Sequence, residues 1–179
     1  MSVCAGQQVR APGLDPTRPS GAKFFLCPEE TDVSEEKKNV ERMRQVFEEM
    51  AQTGSPQPLL DQLAEDAVYK LTVPPGTPLS GEFRGKRAIT DYFGLVDEVL
   101  EVQEVRTWDF VGNGKQVIVL GDERFVVRKT GKVCQSEFAF VVDFREGEIV
   151  RVLVIEDLSS VVEAHAVASG RVASKASGA

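Results

Sequence analysis

Apolar residues recur at helical spacing early in the chain and at strand spacing later. Val40, Met43, Phe47 and Met50, flanked by Val46 and Ala51, make one stripe of a long helix. Ser34, Glu35 and Glu36 suit its start, where a hydroxyl and carboxylates satisfy and stabilise unpaired amides, and Gly54 suits its end. Pro56 and Pro58 flank a connector to a short second helix carrying Leu59, Leu60 and Leu63 and closed by Asp66. A β-rich stretch over 67–73 then stops at Pro74-Pro75-Gly76, whose fixed and permissive dihedrals force a turn. The glycine-rich stretch 76–85 predicts a loop, and Ile89, Phe93, Val96 and Leu100 predict a third helix.

From residue 101 the period changes to two. Strands are predicted over 101–111, 116–128, 133–144 and 149–156, separated by Gly112-Asn113-Gly114-Lys115, Lys129-Thr130-Gly131-Lys132 and Arg145-Glu146-Gly147-Glu148. Such short glycine-bearing connections join antiparallel neighbours, so these strands form a meander. The order is α-α-β-α-β-β-β-β, an α+β fold rather than a parallel sheet. Long strands twist and curl, so the mixed or antiparallel sheet is expected to be cone-shaped and to wrap around the three helices. The wide end of such a cone is a space for a small ligand.

Alternation identifies residues that could line it. On 133–144 the even positions hold Cys134, Ser136, Phe138, Phe140, Val142 and Phe144, whereas Gln135, Glu137 and Asp143 occupy odd ones. On the last strand the matching series is Val150, Val152, Val154 and Glu156. Glu156 is then either an acid entering an apolar space, with a raised pKa suited to acid–base work, or a solvated strand end partnering Arg151 or Arg124. Asp122 and Arg124 share a face, where they pair with each other on the rim or use the guanidinium to orient an oxygen-bearing ligand. Glu123 points the opposite way, toward solvent or a dimer face. Tyr69, Tyr92 and Trp108 are aromatic with one polar handle each, and serve as pocket walls or as packing. Asp157 suits a cap for residues 158–160. Cys134 reads as a small core residue, with no histidine nearby to make it a thiolate.

Composition narrows the classes. The 179 residues accommodate one domain, expected over 34–168, with disordered tails at 1–33 and 169–179. A net charge of −7, with only the scattered Arg84, Lys86 and Arg87 as a basic feature, argues against nucleic acid. No run approaches the roughly 20 apolar residues of a membrane-spanning helix, and residues 1–30 lack a signal-peptide pattern. Three cysteines without CxxC spacing indicate neither a disulfide framework nor a zinc site, and point to a reducing, cytoplasmic home. No metal or cofactor is expected.

Three stretches carry a family resemblance. These are Phe47…Gly54…Leu63-Ala64-Glu65-Asp66-Ala67-Val68; Gly81…Arg84-Gly85-Lys86-Arg87-Ala88-Ile89…Phe93; and Val119-Leu120-Gly121…Thr130-Gly131-Lys132…Phe138-Ala139-Phe140-Val141-Val142…Glu146-Gly147-Glu148-Ile149-Val150-Arg151…Asp157. Over residues 40–165 the chain resembles the nuclear transport factor 2-like superfamily, in particular its SnoaL-like branch of polyketide cyclases and ketosteroid isomerase relatives. The resemblance implies a curled-sheet pocket and a homodimer paired through the convex face. Its catalytic groups do not carry over. The tyrosine, base and oxyanion aspartate of ketosteroid isomerases fall on Phe47, Leu71 and Ala139, and the last-strand aspartate of the cyclases and epoxide hydrolases falls on Val154. The hydrolase Asp–Arg–Asp arrangement fails because the position two residues after Arg124 holds Val126 and not a carboxylate, and His165 lies beyond the sheet.

The expected function is that of a small-molecule pocket protein. It is either a cofactor-independent isomerase, cyclase or hydrolase of an apolar, oxygen-bearing, polyketide- or terpenoid-like substrate, with Glu156 or Asp122 and Arg124 catalytic, or a non-catalytic binding or dimeric interaction module. The expected walls are Phe47, Tyr69, Leu71, Tyr92, Trp108, Ser136, Phe138, Phe140, Val152 and Val154.

Overall fold

The apolar stripe of α1 (Val33–Thr53) buries Met43, Val46 and Phe47, while its acids and amides form exposed pairs one turn apart on the other side. Gly54, at φ 65°, ends the helix in the left-handed region and donates its N–H to Met50 O at 2.8 Å. The other end is tied to the sheet, because Gly114 N–H donates to Glu36 Oε2 at 3.0 Å. These descriptions come from a computed structural model covering residues 33–73 and 75–164. The tails expected at the two ends, and His165, lie outside the described residues.

After α2 (Gln57–Asp61) the chain enters β1 at once, over Leu63–Leu71. This corrects the expected start at residue 67. Leu63 completes a helical leucine triplet in sequence, yet in three dimensions it pairs with Ile149 of the last strand, and a bulge between Leu63 and Val68 leaves Glu65 and Asp66 exposed. The loop expected at 76–85 holds a further strand, β2 (Gly81–Arg84), antiparallel to β1. Four residues between two glycines are too short to show a period.

α3 (Lys86–Val99) follows, burying Ile89 and Tyr92. The meander is as predicted from its turns: β3 (Leu100–Asn113), β4 (Gln116–Val127), β5 (Lys132–Arg145) and β6 (Glu148–Glu156). The sheet order is β2-β1-β6-β5-β4-β3, with β1 parallel to β6 and every other pair antiparallel. The fold is α+β, a six-stranded sheet curled but not closed. Bulges at 102/104 and 107/109 in β3, and at Val150 of β6 opposite 143/144 of β5, accompany the bending of these strands.

One continuous core fills the concave side, with Phe47 from α1, Tyr92 from α3, Val117, Val119, Phe125 and Val127 from β4, and Phe138, Val142 and Phe144 from β5. Gly121 lets β3 and the Phe138 ring approach β4 closely here. A Cβ at that position would lie 2.4 Å from both Arg106 O and Phe138 Cζ. Beyond β6, Leu158, Val161 and Ala164 are buried, and Asp157 Oδ1 accepts the Ser159 N–H at 2.9 Å, capping the turn that follows.

Candidate active site

Hairpin register decides which polar residues enter the cone. Val127 pairs with Lys132, so every odd position of β4 faces an even position of β5, and Glu123 stands opposite Ser136. Glu123 is therefore on the concave side, contrary to its expected outward position. Asp122 and Arg124 are outside. Asp122 accepts two hydrogen bonds from Arg106, from Nε and from Nη2, each at 3.0 Å, and Arg124 is exposed. This corrects their assignment to the pocket. Even positions of β4 hold Ile118, Leu120 and Val126 beside Gln116, Asp122 and Arg124, whereas the odd ones are apolar but for Glu123, so composition already favoured the odd face. The turn length and the even face of β5 point the same way.

The last strand needs a second correction. A bulge lets Asp143 pair with Arg151 but Phe144 with Ile149, so Ile149, not Val150, joins Val152 and Val154 on the core side. Past the bulge, alternation brings Glu156 inward, and it pairs with Phe138. Trp108 is the third correction. It is the extra residue of the 107/109 bulge and is 53% exposed, outside the aromatic cluster.

Glu123 and Glu156 meet on the concave side and share a side-chain hydrogen bond. Two carboxyls can do this only with a proton between them. Burial pushes the Glu156 carboxyl up to about 9, reinforced by the charge of Glu123 and the shared bond, and opposed by the polar Ser136 hydroxyl nearby. Burial raises Glu123 as well, opposed by its bond to Glu156. Glu156 Oε1 is buried, and no N–H or hydroxyl of the described residues donates to it. Ser136 Oγ donates to Asp157 O at 3.0 Å, holding the chain just after Glu156 against β5.

Tyr69 and Tyr92, 2% and 4% exposed, stand beside this pair with ring centroids 5.2 Å apart. Burial raises the Tyr69 phenol well above its usual value, followed by Tyr92 and by the charges of Glu156 and Glu123; Tyr92 is raised by burial, then by the same two acids. Neither hydroxyl forms a hydrogen bond with a group among the described residues. Phe47 spans the interior, edge-on to Phe140 at 5.6 Å and stacked on Phe138 at 6.4 Å. Leu71, Val152 and Val154 are buried beside them. The β3 side of this cluster is its exposed side. Val102 and Val105, across from Phe125 and Glu123, are 43% and 38% exposed, and Glu123, Glu156 and Phe140 are only partly covered.

The site thus combines a proton-sharing carboxyl pair, two unpartnered phenols and an aromatic wall, an arrangement able to give and take protons. Among the described residues no three of His, Cys, Asp or Glu gather as a metal site. An open depression of about 480 Å³ lies elsewhere, on the exposed side of α1 around Lys38, Arg42, Glu49 and Gln62. It contains no buried titratable pair.

The sequence profile of the SnoaL-like domain matches residues 40–152, and the chain belongs to that family. Among solved structures, a nuclear transport factor 2-like protein from Burkholderia xenovorans is 23% identical, with a TM-score of 0.61 over 72% of this chain and 96% of that one. TerC, solved with polyporic acid, is 20% identical, with a TM-score of 0.59 over 70% and 95%. A protein from Mesorhizobium loti described as a SnoaL-like polyketide cyclase is 16% identical, with a TM-score of 0.57 over 65% and 97%. At such identities these likenesses establish the fold. No curated protein matches the sequence.

Proposed function

We propose that this protein is a cofactor-independent enzyme, an isomerase or cyclase, that moves protons on a small apolar substrate bearing a carbonyl or hydroxyl oxygen. The observation that carries the reading is the shared hydrogen bond between Glu123 and Glu156. A pair holding one proton offers an acid and a base side by side. The base removes a hydrogen from carbon while the acid, or the hydroxyl of Tyr69 or Tyr92, supports the charge growing on oxygen. The aromatic wall excludes water and receives the apolar body. The polyporic acid held by TerC and the cyclase description of the Mesorhizobium loti protein favour such substrates. The reading includes a cytoplasmic location, in keeping with the free thiol of Cys134.

Deuterium exchange next to the carbonyl of a panel of apolar ketones, followed by NMR in D2O, tests it. The protein accelerates exchange of at least one ketone. Glu156→Gln and Glu123→Gln retain the fold and lose the acceleration. Unchanged exchange in both variants overturns the assignment.

A second reading, homodimerisation, rests on the outer sheet face. Val111, Ile118, Val141 and Leu153 form one apolar row across four strands, and Leu120, Ala139 and Ile155 form the next. Ile155 is 47% exposed, and such a continuous patch suits a second copy of the chain, with or without catalysis. Light scattering is expected to give a dimer that Ile155→Glu converts to a monomer.

A further inference from the structure

Every charged or phenolic group that acts on the concave carboxyls is acidic. Glu156 feels Glu123 and Asp157, and Glu123 feels Glu156. Several arginines are engaged elsewhere: Arg106 with Asp122, Arg145 with Asp66, Arg151 with Asp143 and Arg128 with Glu101. Whenever the pair holds a single proton, it leaves a negative charge in an apolar, aromatic space with no cation facing it among the described residues. A buried charge of that kind costs several kcal/mol unless something pairs with it.

Two acids alone do not make a site. Tyr69 supplies an independent observation: a side chain 2% exposed, beside both carboxyls, whose hydroxyl has no partner among the described residues. Glu156 Oε1, buried and without a donor, supplies another. The site therefore has an acceptor waiting for a donor, oxygen lone pairs on two phenols, and ring faces nearby.

We propose that this concave site binds a small organic ammonium ion, an apolar body carrying one protonated primary or secondary amine. Its N–H groups donate to Glu156 Oε1 and to the Glu123 carboxylate, Tyr69 and Tyr92 add phenol oxygens and π faces, and the body lies against Phe138 and Phe140. A metal ion does not suit the same groups. Two carboxylates and two phenols fall short of the roughly six to eight oxygens that calcium or magnesium gathers. The inference rests on the concave pair being a ligand site, and adds a positive charge that the proposed ketone substrate does not require. The charge balance is explicit. The ammonium ion meets a pair that holds one proton and one negative charge, the proton stays within the pair, and the bound complex is neutral.

Calorimetry on the full chain near neutral pH, with 2-phenylethylamine and its neutral isostere 2-phenylethanol in two buffers of different ionisation enthalpy, tests this. The amine is expected to bind at least about tenfold tighter than the alcohol, with the same apparent enthalpy in both buffers. Replacing both acids, Glu123→Gln with Glu156→Gln, removes that preference, and Tyr69→Phe weakens the amine more than the alcohol. Equal affinity for the two ligands overturns the cation inference and leaves the ligand site standing. Failure of both ligands to bind overturns it too, and ketone exchange then decides separately whether the enzyme reading survives.

Discussion

Glu123 lies directly across the β4–β5 ladder from Ser136, and its carboxyl meets that of Glu156 on the next strand. Three neighbouring strands thereby bring one polar cluster to the mouth of an apolar cone.

The raised Glu156 carboxyl sets the sign of a pH effect. In the folded chain it keeps its proton up to about 9, whereas the unfolded chain loses it near the ordinary value of 4.5. The native state binds more protons between those limits, so stability falls as pH rises through that window. Thermal unfolding from pH 4.5 to 9 is expected to show this decline, and Glu156→Gln to flatten it. A variant that tracks the wild type across the range would contradict the buried, protonated state.

Phe47 touches Phe110, Phe138 and Phe140. Phe47→Ala removes the ring on which three others lean, and urea denaturation is expected to show a loss of about 3–5 kcal/mol. A loss below about 1 kcal/mol would mean that α1 does not close the cone as described.

Asp122 and Arg106 form an outer-face pair, with Arg106 about half exposed. Asp122→Asn is expected to cost under about 1 kcal/mol and to leave ketone exchange unchanged. A loss of exchange would restore Asp122 to the reaction.

Gly121 has no room for a methyl group. Gly121→Ala drives Phe138 or the β3 backbone away and is expected to cost about 1–3 kcal/mol in chemical denaturation, with weaker binding of any concave-site ligand. Wild-type stability would refute the close approach.

Much of the fold was legible because the meander announces itself. Asn113-Gly114, Gly131 and Gly147 mark its turns, and period-two alternation fills the strands between. What stayed hidden depended on pairing between strands. β2 is visible only as a partner of β1. Leu63 reads as helix until Ile149 claims it. The bulge at Asp143 and Phe144, unseen in sequence, turned Ile149 rather than Val150 inward. Of the site, Glu156, Tyr69, Tyr92 and Ser136 were placed in the pocket from sequence, but Glu123 was placed on the outer face. Both faces of β4 carry aliphatic residues, and its register with β5 puts the odd face inside.

The parallel pairing of β1 with β6 also dictates an order of events. The first long strand has no neighbour on that side until the last one has been synthesised, so the sheet closes across almost the whole domain, a slow, non-local step. Glu156 ends that last strand. A nascent chain still lacking it already carries Glu123, Tyr69 and Tyr92, but an unfinished sheet and a lone acid. Chemistry and completion of the fold therefore arrive together, with the final turn of the ribosome on β6.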